Sequence, residues 1–283
     1  MSDASTHGST AAAAQPPAAE GAFNVGELIN HHITDGNEIE IPFTHASIPL
    51  WKIHIGSVDF SITRHVVMKW IAFAVLLLLG LSAARRVKDP VPRGWRGVFE
   101  VFIKYIRDEI ARKAMGRDGD RYLPYLLTCF FFIWTCNLLG LFPGLSTPTS
   151  NISVTAALAI LAFVMIHLAG IRQYGIVKHL RHVMPGGLPT WLYPIMLPVE
   201  ILGMFTKPFA LCIRLFANMT AGHVVIIGLI SLIFILKSIW VAAFSVPFTL
   251  FIFVLELLVC FIQAFIFTTL VSTFIGMSVR PAH

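Results

Sequence analysis

Long runs of apolar residues dominate the chain after residue 65. Crossing about 30 Å of hydrocarbon takes about 20 helical residues. The runs that reach this length are 66–84, 122–141, 152–171, 191–236 and 239–277. The last two exceed a single crossing, so we expect a long, tilted hairpin of helices. The pattern predicts an all-α integral membrane protein with five membrane-inserted helical spans.

Residues 94–116 follow a different pattern, with apolar side chains at intervals of three and four residues and basic side chains between them. Phe99, Phe102, Ile106 and Ile110 belong to the apolar series. This periodicity is typical of a helix with one apolar face. We therefore predict one interfacial amphipathic helix that lies along the membrane surface instead of crossing it.

The amino-terminal part of the chain lacks long apolar runs. Residues 1–22 are mainly Ala, Ser, Thr, Pro and Gln without the features of a secretory signal, which predicts a disordered tail. Residues 23–65 are predicted to be an extracytoplasmic segment, with a short helix at 24–35 and extended backbone at 38–55. The transmembrane helical domain then covers 66–283.

Composition and charge agree with this assignment and add an orientation. The chain is 56% hydrophobic and 13% charged, with a mean hydropathy of +0.76, values outside the range of soluble globular proteins. Eleven Lys or Arg fall between residues 85 and 121, whereas the loop 142–151 has none. By the positive-inside rule, the amino terminus lies outside and the carboxyl terminus lies in the cytoplasm.

Motifs for covalent chemistry are absent from the sequence. It contains no Walker A, HExxH or GxSxG motif, and its four cysteines lie in apolar runs without metal-ligand spacing. The neighbours His31 and His32 would not share a helix face, and His179 and His182 lie in a basic loop without a supporting carboxylate. We therefore expect no enzyme, cofactor or metal, and no bound nucleotide or nucleic acid.

Polar residues interrupt the fourth apolar run. Glu200, Lys207 and Arg214 recur every seven residues and therefore share one stripe of a helix, with Asn218 one turn later. A charge in mid-membrane costs about 3 to 17 kcal/mol, so it persists beside polar partners or for a function. For Arg214 the alternatives are a structural ion pair and a functional site, and its depth favours the functional site. Glu200 also fits a helix residue near the membrane surface.

The last two runs can be set in register as an antiparallel hairpin that turns near residue 239. Equal rise per residue places Arg214 level with Gln263 and His223 level with Glu256, each within about 3 Å. The sequence thus predicts two polar layers. The histidine and carboxylate fit either a self-satisfied hydrogen-bonded pair or a pair that exchanges protons.

The motifs "KPFALCIRLFANMTAGH" and "LELLVCFIQAFIFTTL" closely resemble subunit a of the F-type ATP synthases, and "NLLGLFPG", "TPTSNISVT" and "ELINHHI" extend the resemblance over nearly the whole chain. The resemblance implies a non-catalytic subunit that supplies two offset proton half-channels for ATP synthesis. Its partners would be the rotating c-subunit ring, the subunit b stalk, the rest of the ATP synthase and membrane lipid. The implied location is a bacterial plasma membrane in preference to a mitochondrial one.

The resemblance also implies roles for individual residues. Arg214 matches the family's essential arginine, which faces the ring carboxylate, and Gln263 matches the glutamine level with it. Asn218 and Asn137 match polar positions of the outer half-channel, and Glu200 matches an acidic residue of the inner one.

The positions of His223 and Glu256 are exchanged relative to many bacterial members of the family. In those members the glutamate follows "AG" and the histidine lies on the last helix. The exchange keeps a titratable pair, provided that the side chains touch, and it leaves the order of proton transfer open. On the residues alone, an alternative function is a self-contained proton or ion transporter or channel that uses Glu256 as its carboxylate. An intramembrane enzyme is a third possibility.

Overall fold

The computed structural model describes residues 38–40, 47–49, 54–55, 58–59, 63–84, 94–142, 147–183 and 193–280. The predicted tail and the predicted helix at 24–35 lie outside the described residues. Two short antiparallel ladders precede the first span, and they consist of β1 (Glu38–Glu40) with β2 (Ser47–Pro49) and β3 (His54–Ile55) with β4 (Val58–Asp59). The extended backbone predicted at 38–55 is confirmed in β1, β2 and β3.

Helices form most of the remaining described chain. They are α1 (Arg64–Ala84), α2 (Trp95–Tyr105), α3 (Arg112–Met115), α4 (Gly119–Gly140), α5 (Ile152–Val183), α6 (Tyr193–Leu236) and α7 (Ile239–Val279). A π-helical segment, Ile106–Ala111, joins α2 to α3, and 3-10 turns occur at Gly116–Asp118 and Pro148–Ser150. Within the described ranges, five helical stretches are long and apolar enough to cross a membrane. The predicted all-α membrane fold with five spans is confirmed.

The amphipathic segment predicted at 94–116 is helical, and its apolar face contacts protein. Ile106, Ile110 and Met115 are buried and pack into the main core against α4 and α7. Ion pairs one turn apart line its polar side. Gly116 ends the segment with φ 61°, a conformation that favours glycine because a β-carbon would be crowded there. The placement of this helix along the membrane surface stays a prediction.

The main core lies between α4, α5, α6 and α7. Leu126, Phe130 and Ile133 recur at helical spacing on α4, and they meet Leu215 of α6 and Phe267 of α7 in one buried cluster. Large apolar side chains also cover the outward faces of α1, α6 and α7. A continuous exposed apolar surface of this kind marks contact with lipid or with partner helices.

The two longest helices form the antiparallel hairpin that the sequence predicts. α6 and α7 turn at Lys237 and Ser238, two residues or fewer from the expected centre, and Lys237 adopts φ 44° there. Ser245 donates to the carbonyl oxygen of Leu229 at 2.6 Å and joins the helices near the turn. The strong tilt of this hairpin stays a prediction.

The described part of the connection between α4 and α5 carries polar residues that are buried in the protein. Thr147, Thr149 and Ser150 are buried, with at most 6% of each residue exposed. Their hydroxyl groups bond to other protein atoms, as buried polar groups must. This buried turn, residues 147–150, brings new polar groups next to α6.

Candidate functional site

His223 on α6 lies at the centre of a polar cluster where α4, α6 and the buried turn meet. Its Nδ1 is 2.9 Å from the carbonyl oxygen of Met219, one turn back on the same helix. Its Nε2 is 2.9 Å from the carbonyl oxygen of Gly140 and 2.7 Å from Oγ1 of Thr147. Both ring nitrogens therefore have hydrogen-bonding partners.

The carboxylate of Glu256 on α7 lies beside the same ring. Its Oε1 is 3.9 Å from Nδ1 of His223, which is within ion-pair range but longer than a direct hydrogen bond. The side chain is 5% exposed, and Oε1 has no hydrogen-bond partner in the part of the chain that the structure describes. The structure thus brings together the histidine and the carboxylate that the hairpin register placed at one depth.

A second polar layer joins α6 to α7 one helical turn or more away. Asn218 donates from Nδ2 to Oε1 of Gln263 at 2.8 Å, and Gln263 is 2% exposed. The partner of Gln263 is therefore Asn218 and not Arg214, which stands one turn earlier on α6. An amide pair is the direct link between the two helices at this depth.

Arg214 has an exposed side chain on α6. No hydrogen bond or ion pair connects it to any residue that the structure describes. The structural ion pair considered from the sequence is thus missing from the described residues. Three exposed alanines lie on the same face, namely Ala210, Ala217 and Ala221. Small side chains therefore flank the guanidinium group on this face.

Asn137 on α4 is fully buried and ties the turn to two helices. Its Oδ1 accepts a hydrogen bond from Thr149 Oγ1 at 2.6 Å, and its Nδ2 lies 3.5 Å from the carbonyl oxygen of Cys260 on α7. Sequence reasoning did not select Thr147 or Thr149, because the run of turn-forming residues around them indicates only a surface loop. The local signal for these residues is a pair of hydroxyl groups on either side of a proline. Their hydrogen-bonding partners are distant in the sequence and are brought near by tertiary packing.

Glu200 and Lys207 lie on the amino-terminal half of α6, on the same seven-residue spacing as Arg214. Glu200 is half-buried, and by helical rise it is about 21 Å from Arg214 along the helix axis. Lys207 Nζ lies 5.3 Å from the centroid of the Phe274 ring on α7, a cation–π geometry. No hydrogen bond or ion pair joins Glu200 to other residues in the described ranges.

The chemistry of these groups is that of hydrogen bonding and proton exchange. Histidine, carboxylate, amide and hydroxyl groups meet around His223. Within the residues that the structure describes, no group of three or more His, Cys, Asp or Glu has the arrangement of a metal site. The arrangement favours movement of protons between fixed groups.

Residues 66–276 match the family described as ATP synthase A chain. ATP synthase subunit a of Chloroherpeton thalassium is 49% identical over 254 residues, covering 88% of this chain and 75% of that protein. The protein of the same name from Anaeromyxobacter dehalogenans is 48% identical over 269 residues, covering 89% and 70% respectively. That of Myxococcus xanthus is 50% identical over 231 residues, covering 81% and 76%. The matched range includes every site residue described above.

Proposed function

The chain belongs to the ATP synthase A chain family, and we propose that it is the stationary proton-channel subunit of a rotary ATP synthase. It carries protons to and from the carboxylates of a rotating c-subunit ring, and it has no catalytic site of its own. Its further partners are the subunit b stalk, the rest of the ATP synthase and membrane lipid. The protein is placed in a bacterial plasma membrane, with its amino terminus outside and its carboxyl terminus in the cytoplasm.

The observation that carries this proposal is the exposed guanidinium of Arg214 in an apolar helix. A charge at this depth is costly unless an opposite charge or a polar group compensates it. The described residues offer no such partner, which supports a compensating group on another chain. The alanines around Arg214 allow close approach, since small side chains let membrane helices pack tightly. A carboxylate on the c ring meets both requirements.

The outer half-channel is assigned to the cluster around His223. His223 lies nine residues, or about 13 Å of helical rise, beyond Arg214 toward the outside. Protons from the outer medium reach His223 and Glu256, which both change protonation state. The buried amide of Asn137 and the amide pair of Asn218 and Gln263 provide polar groups around this route. The proton then passes to a carboxylate of the ring.

The inner half-channel is assigned to the opposite half of α6. Glu200 lies near its inner end, with Lys207 between Glu200 and Arg214. Because the two half-channels open at different depths along α6, a proton that enters on one side must travel with the ring before it leaves on the other. Each proton that crosses 100 mV releases about 2.3 kcal/mol, which drives rotation.

Arg214 separates the two half-channels. A guanidinium keeps its proton at working pH, so it stabilises the ionised form of an approaching carboxylate and promotes release of the proton from it. Its positive charge also opposes a direct leak of protons along the stationary subunit, as fixed charges do in other pores.

The test is ATP-driven acidification of inverted membrane vesicles that contain the whole complex. Arg214→Ala is expected to abolish acidification while the complex stays assembled. Arg214→Lys is expected to keep the charge but to lose most activity, because lysine lacks the planar fork of donors. Undiminished acidification by Arg214→Ala, with normal assembly, would remove Arg214 from the mechanism.

A second measurement separates this proposal from a self-contained transporter. The purified chain alone, placed in liposomes with an imposed potential, is expected to conduct no protons because its route is completed by the ring. Proton conduction by the chain alone, at the rate of the intact membrane sector, would favour the transporter.

A further inference from the structure

Thr147 contacts His223 at a point where the ring needs a partner that can both donate and accept. Thr147 is 2% exposed, and its Oγ1 lies 2.7 Å from Nε2 of His223. The other two partners of the ring are the carbonyl oxygens of Met219 and Gly140, which only accept hydrogen bonds. The hydroxyl is therefore the partner of this ring whose hydrogen-bonding role can reverse.

The two protonation states of the ring use this hydroxyl differently. In the neutral state, Nδ1–H donates to Met219, and Nε2 has a lone pair that a carbonyl oxygen cannot satisfy but the Thr147 hydroxyl can. In the cationic state, both nitrogens donate, and Nε2–H is directed to the oxygens of Gly140 and Thr147. Rotation of one hydroxyl thus gives Nε2 a hydrogen-bonding partner in both states without movement of the imidazole.

We propose that Thr147 is the positioning residue that allows the half-buried His223 to gain and lose a proton in the outer half-channel. The inference rests on the function proposed above. In this step, one proton from the outer medium forms a bond to Nε2 of His223. The later transfer of the proton toward the c-subunit ring breaks that same bond. The O–H bond of Thr147 stays intact and only rotates.

The local structure is built around this hydroxyl. A β-carbon on Gly140 would lie 2.0 Å from Oγ1 of Thr147, so only glycine leaves room for the threonine. The carbonyl oxygen of Thr147 accepts bonds from the Ser150 amide at 3.2 Å and from Ser150 Oγ at 2.8 Å. Thr149 fixes the same turn to Asn137. These contacts hold Thr147 at one distance from the ring.

Among the contacts of the His223 ring within the described residues, the charged group is a carboxylate. Glu256 of α7 faces Nδ1, whereas the contacts of the ring with α4 and with the buried turn, within the described residues, are to the uncharged groups of Gly140 and Thr147. Glu256 acts on the side of the ring opposite Nε2. A change at Thr147 therefore alters the Nε2 side and leaves the carboxylate in place.

The experiment compares Thr147→Val, which keeps the shape but removes the hydroxyl, with Thr147→Ser, which keeps the hydroxyl. Potential-driven proton uptake from the outer side is measured in vesicles with the assembled membrane sector, over a series of pH values on that side. Thr155→Val is the matched control, because Thr155 is a buried threonine whose hydroxyl bonds to the Ile152 carbonyl oxygen and to Cys212, away from His223.

Thr147→Val is expected to shift the pH profile of uptake by about one unit toward alkaline pH, the equivalent of one lost hydrogen bond to the neutral ring. Thr147→Ser and Thr155→Val are expected to keep the original profile. Gly140→Ala, which pushes the Thr147 side chain aside, is expected to reproduce the shift.

Two results would overturn the inference. One is an unchanged profile for Thr147→Val, and the other is an equal shift for the valine and serine variants, which would indicate packing alone. Arg214→Ala, measured for ATP-driven acidification in inverted vesicles that contain the whole complex, keeps the two proposals apart. If it loses acidification while Thr147→Val has the original profile, the proposed function stands and the role of Thr147 fails.

Discussion

The carboxylate of Glu256 packs directly on the backbone of Gly222, so that a β-carbon at Gly222 would lie 1.6 Å from Oε2. The side chain therefore reaches across from α7 to α6 through a gap that only glycine leaves open. With the carboxylate of Glu256 against Gly222, its Oε1 lies 3.9 Å from Nδ1 of His223. The residue before the histidine is thus part of the geometry of the pair.

Gly222→Ala is expected to displace Glu256 and reduce ATP-driven acidification by about tenfold or more, because a positioned proton-transfer group is lost. The matched control is Gly228→Ala on the same helix, where an added β-carbon meets no atom within 4 Å. Acidification is measured in inverted vesicles with equal amounts of assembled complex. Equal activity of the two variants would show that Gly222 does not position the carboxylate.

The histidine and the glutamate are expected to function also when their positions, 223 and 256, are exchanged. Each single alanine variant should lower acidification by about tenfold or more, because one proton-exchanging group is lost. The double variant His223→Glu with Glu256→His restores one group of each kind at two positions whose side chains are in contact in this chain, so it is expected to recover part of the lost activity. Activity of the double variant no higher than that of His223→Glu alone would argue against a shared role.

The amide pair of Asn218 and Gln263 is expected to stabilise the hairpin. Removal of Asn218 leaves the buried Oε1 of Gln263 without its donor. Asn218→Ala should therefore lower the free energy of unfolding in detergent by about 1 to 3 kcal/mol. A double-mutant cycle with Gln263→Ala should yield a coupling of about 0.6 to 1.7 kcal/mol, as for other hydrogen bonds between membrane helices. A coupling of zero would mean that the bond contributes nothing to stability.

The large-scale fold was predictable because its signals are simple. Apolar runs long enough to cross a bilayer define the spans, and the constant rise of a helix fixes which residues of a hairpin share a depth. This arithmetic placed His223 beside Glu256, and the structure shows that contact. Further from the turn, Gln263 bonds to Asn218, which lies one turn from Arg214 on α6. The register predicts the depth of Gln263 but not which side chain of α6 it bonds to.

Other features left no clear signal in the sequence. An apolar helix face looks the same whether lipid or protein covers it, so the pattern at Ile106 and Ile110 could not reveal that they pack against α4 and α7. The buried turn was missed for a different reason. Threonine and proline next to a span indicate a turn, but the bonds of Thr147 and Thr149 go to residues far away in the sequence.

Thr149 offers a test of whether this turn must be anchored for the site to work. Its hydroxyl donates to Oδ1 of the buried Asn137 at 2.6 Å. Thr149→Val leaves that oxygen without its donor, so the free energy of unfolding in detergent should fall by about 1 to 3 kcal/mol. Because the turn also positions Thr147, we expect acidification in inverted vesicles to fall as well. Thr149→Ser should retain both properties.

The control for Thr149→Val is Thr273→Val on α7, where the lost hydroxyl donates only to the carbonyl oxygen of Thr269 one turn back. That carbonyl oxygen lies within α7 and also takes part in its backbone hydrogen bonds, so the loss of the hydroxyl donor should lower the free energy of unfolding little. If Thr149→Val is destabilised but fully active, the turn supports the fold and the ring of His223 does not depend on it. If Thr149→Val loses activity while Thr149→Ser keeps it, the hydroxyl that anchors the turn also sets the geometry through which His223 receives its proton.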